Sequence, residues 1–479
     1  MHPLHTNGDP HHAAPRPHSE YYGVTVPNVD DFEVFWDRLR GKDRRWITWG
    51  DSAKAIATSS WLNLFVIFIP LAWASHFATD PVWPHNLVFI LCFLAIIPLE
   101  HLFDYGGEQM AFYVGKDLGD LISITLNNAV EAALAIFLLV KCELLILQST
   151  IVGVVLLHLL LIPGTAFITG GARIWEQHLN PHFTQLNHTL LTIGVLTLLL
   201  PAAFFAALDR GVLAIPEAGS TAAAQSVVND TVRGQFLQIS RGLSIILLIV
   251  YVGSRIYLHN PPGEDNALRP HPDAPIEIKH EEAHLKHADP EINPWACMLL
   301  LVLTVGLMAP TAEWLVDSIE FVREQGNIQE AWFGLVLLPI VSFAADGAIA
   351  IGYFAHSALR MLFGVPQAPT ALAKGRAIDL SIQFTLFWMP FLVLLGWWTH
   401  KPMTLLFDFF EVALLLGATF LVNYVTADSK TNWMEGWMMV SFYVMIALTV
   451  WFYPGQPEIA AMVNCGSVAS VLAGEGGAE

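Results

Sequence analysis

Two acidic residues, each set in an otherwise apolar stretch, are where this sequence is equipped for chemistry. Glu131 follows Leu126-Asn127-Asn128-Ala129-Val130 and precedes Ala-Ala-Leu-Ala-Ile. Asp346 follows Pro339-Ile340-Val341-Ser342-Phe343-Ala344-Ala345 and precedes Gly-Ala-Ile-Ala-Ile. A carboxylate at membrane depth costs roughly 2.5–3.5 kcal/mol, so it usually lines an ion path or has a partner. The two acids hold comparable places in the two halves of the chain. Each is preceded by a span-end glutamate, Glu108 or Glu313, and followed by an apolar stretch with one glutamine, Gln148 or Gln383. Polar-dotted helices in corresponding positions are the mark of a transporter built from inverted repeats with a site at the midplane. The plain alternative for each acid is a hydrogen bond to a neighbouring helix. Glu313 reads equally well as an interfacial residue. Asp408 and Glu411, three apart on one helical face, read as helix-packing or gate-lining groups.

The elements that must position these acids are membrane helices. Hydrophobic residues make up 54% of the 479 and charged residues 14%, against about 25% charged in an average soluble protein. Mean hydropathy is +0.51. This excludes a soluble globular enzyme, and a net charge of −19 argues against a polyanionic partner such as nucleic acid. Eleven stretches have the roughly 20 apolar residues that a bilayer requires: 59–78, 85–103, 118–140, 143–169, 188–208, 236–258, 295–316, 331–355, 376–398, 402–424 and 433–453. The expected fold is an all-α polytopic membrane protein with about 11 transmembrane helices, an N-terminal helix plus two inverted five-helix repeats. Arg38, Arg40, Lys42, Arg44 and Arg45 before the first span place the N-terminus in the cytosol. Threading from there leaves only Lys141, Arg210, Arg233, Arg323 and Lys401 on the far side, where the C-terminus also falls.

The chain therefore divides into a polar tail over 1–58, disordered in its His- and Pro-rich first 30 residues, a first membrane half over 59–258, an acidic cytosolic loop over 259–294, a second membrane half over 295–453 and a C-terminal tail over 454–479. The first apolar stretch is full length and reads as an anchor. Cys92, Cys142, Cys297 and Cys465 are scattered without a CxxC pair, and suggest neither a disulfide nor a zinc site.

Several motifs resemble those of the cation/proton exchanger (CAX) family, the vacuolar calcium/proton antiporters of fungi and plants. Asn127-Asn128-Ala129-Val130-Glu131 is similar to the family's Gly-Asn-Ala-Val-Glu signature, and Leu147-Gln148-Ser149-Thr150-Ile151-Val152-Gly153 to its Val-Gln-Ala-Ser-Leu-Leu-Gly stretch. Ser240-Arg241-Gly242, Ala312-Glu313-Trp314-Leu315-Val316, Pro390 to Trp397, and Asn423 through Asp428, Asn432, Trp433, Glu435 and Gly436 extend the likeness over about residues 55–454. The second signature departs from the family's Gly-Asn-Ala-Ala-Glu-His, reading Ser342-Phe343-Ala344-Ala345-Asp346-Gly347. The family's Ser-Asn pair becomes Leu157-His158, and its Gly-Ser-Ser becomes Asp379-Leu380-Ser381.

The resemblance implies a secondary antiporter, not an enzyme, that exchanges cytosolic Ca2+ for luminal H+ across an acidic vacuolar membrane by alternating access. Calcium takes 6–8 oxygen ligands. Glu131 and Asp346 are then the metal-holding carboxylates, with neutral oxygens from Asn128, Gln148, Gln383 and Ser381. Asp379 replaces an oxygen lost at the second signature, Glu108 and Glu313 are supporting acids, and His158 is an extra proton carrier or a packing residue. An ionised carboxylate holds the cation and a protonated one releases it, and burial brings carboxylate titration toward neutral pH. No cofactor is expected beyond the transported Ca2+ and H+. The bilayer and the transported cations are the expected partners, no nucleic acid is, and a homo-oligomer stays open. Two other readings also stand: a monovalent Na+/K+ antiporter of the same fold, and a transport-inactive member acting as a binding or scaffold protein.

Overall fold

A computed structural model describes residues 47–78, 83–114, 116–171, 175–179, 181–212, 228–259, 290–340 and 376–468, with 344 and 347. The N-terminal tail before Ile47, most of the acidic loop, and Asp346 with its flanking signature lie outside these residues. Within them the regular elements are helices apart from one two-residue strand pair. Helix α1 (Trp49–Thr58) meets a 3-10 turn (Trp61–Ile67) that leads into α2 (Phe68–Phe77). Helix α3 is His85–Val114, α4 Lys116–Asn127 and α5 Ala129–Lys141. Helix α6 (Leu144–Leu156) runs through a π-helical turn into α7 (Ile162–Gly171). Strand β1 (Gln177–His178) precedes α8 (Pro181–Val212) and α9 (Asp230–His259).

The second half opens with α10 (Pro294–Asp317), α11 (Ile319–Gly326) and α12 (Glu330–Trp332), the last continued by a π turn. Helix α13 (Arg376–Gln383) runs through another π turn into α14 (Met389–Trp398). Then come α15 (Phe409–Val425), β2 (Lys430–Thr431), α16 (Trp433–Val450) and α17 (Pro457–Val463). Among the described residues, seven helices are long and apolar enough to cross a membrane, and the α1–α2 pair, bent by 94°, makes an eighth if counted as one span. Each of the eleven apolar stretches read from the sequence holds helix. Three take broken or short form: 118–140 is split into α4 and α5, 331–355 is described only in part, and 402–424 shortens to α15.

The breaks have local causes. At the α1–α2 elbow, the Asn63 side-chain amide donates to the Ile56 carbonyl (2.7 Å), the Ala57 carbonyl (3.2 Å) and Ser59 Oγ (3.1 Å), which satisfies carbonyls at the helix end. The three π turns, Leu157–Leu161, Phe333–Leu337 and Phe384–Trp388, each end two residues before a proline: Pro163, Pro339 and Pro390. A proline has no N–H for the carbonyl four residues back and crowds it, and a widened turn absorbs the mismatch. Helix α16 starts with a capping box, in which Asn432 Oδ1 accepts from the Glu435 N–H (3.0 Å) while Glu435 Oε2 accepts from the Asn432 N–H (3.1 Å).

The core joins the two halves. Helix α6, buried along nearly its whole length, crosses the Phe333–Leu337 turn so closely that glycines face backbone from both sides. A Cβ on Gly153 would strike the Leu335 carbonyl, and one on Gly334 would lie 2.8 Å from Ser149 Cβ and 2.9 Å from the Ile146 carbonyl. Only glycine permits that approach.

One expectation is overturned here. Cys142 and Cys465 form a disulfide, with Cα atoms 6.3 Å apart and 323 residues between them in sequence. Spacing gave no sign of it, because the pair is made by the fold: Cys142 closes α5 in a left-handed conformation, and the C-terminal segment returns over that end of the bundle. Ile459, Met462 and Val468 bury themselves there against Phe205, Phe236 and Leu406. Cys92 and Cys297 remain free and buried.

Candidate cation site

The break between α4 and α5 falls on Asn128, whose backbone leaves the helical region (φ −97°, ψ 7°). This sets Asn128 at the N-cap of α5 and Glu131 in its first turn, where the helix's exposed N–H groups favour negative charge. Both are buried, Asn128 at 0% and Glu131 at 3% exposure. The Asn128 amide nitrogen donates to Gln383 Oε1 (2.7 Å) and to the Leu380 carbonyl (3.3 Å). Gln383 in turn donates to Thr125 Oγ1 (3.0 Å). Helix α13 of the second half thus clamps the broken helix of the first on both sides of its break. Asn128 Oδ1, on the other side of the amide from these acceptors, accepts no hydrogen bond.

Gln148 has the same arrangement on α6. Its amide nitrogen donates to the Thr404 and Leu406 carbonyls, 3.0 Å each, and its Oε1 accepts nothing. A buried acceptor without a donor costs about 1–3 kcal/mol. Two such amide oxygens are hard, neutral ligands of the kind a calcium ion takes.

The other expected residues divide. Gln383 is a positioning group, since its oxygen is taken by Asn128. The Ser381 hydroxyl donates to the Ile378 carbonyl (2.7 Å) in its own helix. Asp379 has a counter-ion inside the protein: Arg255 Nη2 lies 2.6 Å from its Oδ1 and Arg255 Nη1 3.1 Å from its Oδ2, both side chains being buried. The expectation that Asp379 offers free oxygens to the cation is therefore corrected.

Glu108 is exposed on the last turns of α3, because that helix continues well past residue 103. Glu313 is 43% exposed and 4.0 Å from Lys141, whose closer partner is Asp317 (2.8 Å). His158 lies in the first π turn with Nδ1 2.9 Å from the Val154 carbonyl, a packed position.

The two acids assigned to packing or gating are both buried. Glu411 accepts from Ser149 Oγ (2.5 Å), next to Gln148. Asp408 caps α15 and accepts from the Tyr453 hydroxyl (2.8 Å) and the Gln456 N–H (3.0 Å). Among the described residues, no group of three His, Cys, Asp or Glu gathers to hold a metal.

Comparison with known proteins gives the family and the fold. Residues 296–452 match the family model described as sodium/calcium exchanger protein. The chain is 32% identical over 495 residues to a vacuolar calcium ion transporter of Cryptococcus neoformans, covering 88% of this chain and 78% of that one. It is 29% identical over 392 residues to a Ca(2+)/H(+) antiporter of Synechocystis, covering 82% and 97%. Its fold is similar to the solved structure of the Ca2+/H+ antiporter protein YfkE, with a TM-score of 0.57 at 22% identity, covering 81% of this chain and 99% of that one. A predominantly helical fold broken at Asn128 beside a buried Glu131, together with these likenesses, shows that the protein belongs to the cation/proton exchanger (CAX) family of calcium/cation antiporters.

Proposed function

We propose that this chain is a secondary antiporter that moves cytosolic Ca2+ in exchange for luminal H+ across the membrane of an acidic, vacuole-like compartment. The observation that carries the reading is the unpaired Asn128 Oδ1, buried at a helix break three residues before the buried Glu131. The names of the relatives support it: one a vacuolar calcium ion transporter, another a Ca(2+)/H(+) antiporter. Glu131 and, from the other half, Asp346 are the carboxylates for which cation and proton compete. Asn128 and Gln148 add neutral oxygens. Proton binding on the acidic side removes the charge that holds the cation, and proton loss on the neutral side restores it.

In this reading the chain crosses the membrane eleven times as an N-terminal helix and two inverted five-helix repeats, with the N-terminus cytosolic and the C-terminus luminal. The Cys142–Cys465 disulfide then lies on the luminal side, away from the reducing cytosol. The test is uptake by vesicles containing the purified protein with an acid interior. Calcium uptake that collapses with the pH gradient is the expected result. Exchange of sodium or potassium instead, or no flux from a folded protein, overturns it.

A further inference from the structure

The buried Arg255–Asp379 pair has no part in the cation chemistry described above, yet it sits one residue from the site's scaffold. Arg255 comes from α9 and Asp379 from the first turn of α13. The guanidinium forks onto both carboxylate oxygens, and its carbon lies 4.9 Å from the centre of the Tyr251 ring, one turn back on α9. Tyr251 packs on Phe387 (5.4 Å) in the π turn that follows α13. Helix α13 is therefore fastened to α9 at both of its ends. Its next residues supply the two acceptors that hold the Asn128 amide, the Leu380 carbonyl and Gln383 Oε1. An amide held by its nitrogen has its oxygen direction fixed as well, because the group is planar.

We propose that Arg255 is a positioning residue for the cation site: by forking onto Asp379 it fixes α13, and through Leu380 and Gln383 it aims the Asn128 side-chain oxygen. This rests on the exchange reading above and adds to it a residue on a helix that supplies no ligand. A fixed fork suits the task, since a planar guanidinium sets both distance and angle, whereas lysine is a point charge on a flexible stem. It also separates two roles for Asp379. As a ligand, Asp379 would bind the cation better once its internal competitor was removed. As a strut, it needs Arg255.

The experiment compares Arg255→Gln, Asp379→Asn, Arg255→Lys and the double variant Arg255→Gln/Asp379→Asn in purified form. Calcium uptake is measured in acid-loaded vesicles, and amide hydrogen exchange over residues 376–390 in detergent. Both single variants are expected to raise the half-saturating calcium concentration by roughly tenfold or more, with a smaller loss of maximal rate and faster exchange over 376–390. Arg255→Lys falls between them and the wild type. The double variant, which leaves no lone charge buried, recovers folded yield but not calcium affinity. Unchanged half-saturation in either single variant, or tighter calcium binding in Arg255→Gln, overturns the proposal. If wild-type vesicles take up no calcium, the exchange reading fails instead. The strut is then judged by hydrogen exchange alone, and unchanged protection over 376–390 in the single variants overturns it.

Discussion

The two ends of the helix bundle are held together in different ways. At one end, the C-terminal segment is tied down by a disulfide, by Arg233 donating to the Asn464 (3.0 Å) and Gly466 (2.7 Å) carbonyls, and by the Val468 N–H on Asp230. Asp408 adds the Tyr453 hydroxyl and the Gln456 N–H, and a small apolar cluster fills the space beneath. At the opposite end, fastenings among the described residues include the buried Arg255–Asp379 pair, the pairing of Gln177 with Thr431, and the exposed Lys430–Glu176 bridge. The first end is held covalently and by its own folded segment. Among the described residues, the second is held by ion pairs and hydrogen bonds without a covalent tie. Gln148 hangs from the Thr404–Leu406 segment of the first end, and Asn128 from α13 of the second. Each end thus orients one of these two side-chain amides, so disturbing either end should reach the proposed site by a separate route.

The largest effect is expected at the crossing between the ends. Gly153→Val drives a branched side chain into the Leu335 backbone, which has no room to move. It should cost about 3 kcal/mol or more and abolish folded yield on size-exclusion chromatography. Gly242→Ala, whose Cβ meets nothing within 4 Å, should leave that yield unchanged.

Next comes the covalent end. Replacing Cys142 and Cys465 with serine should cost about 2–4 kcal/mol, read as a lower Tm for the purified protein. Thiol labelling should find no free cysteine at these positions in the wild type. A Tm equal to the wild type's would place the strength of this end in its apolar cluster and hydrogen bonds.

The smallest effect concerns pH. Glu143, in the turn after α5, has its carboxyl pushed up by burial and further by Glu320 and Glu330, while Arg323 opposes the rise. A carboxyl raised in the folded state binds protons more tightly there than in the unfolded chain. Its contribution is therefore fully present below the ordinary value of 4.5 and is lost as pH rises through the raised one. Acidification should raise Tm through this group, and Glu143→Gln should flatten that part of the Tm–pH profile. If the profile is unchanged, Glu143 has no share in making this end firmer in acid.

The sequence made the helices and the first acid legible, because both follow from local chemistry. Apolar runs of membrane length point to helix, because the backbone must satisfy its own hydrogen bonds in the bilayer, and Asn128 before small residues and Glu131 marks a polar interruption. The π turns were not anticipated, although Pro163, Pro339 and Pro390 carry their signal. What stayed hidden depends on distant residues meeting. Arg255 is 124 positions from Asp379, so an aspartate that looked like a spare ligand has an arginine partner that spacing does not reveal. Cys142 and Cys465 meet only because the C-terminal segment folds back. Glu108 is exposed because α3 outruns its apolar run. Asp346 lies outside the described residues, so its pairing with Glu131 remains a proposal.

That pairing is most directly tested by calcium-driven proton release from acid-loaded vesicles, comparing the wild type with Glu131→Gln and Asp346→Asn. Each substitution keeps size and hydrogen bonding but removes the titrating charge. The account expects calcium to release protons from wild-type vesicles and from neither variant at equal folded yield. Wild-type release in either variant would contradict it, because a carboxylate that can be neutralised without loss is not where calcium and protons compete.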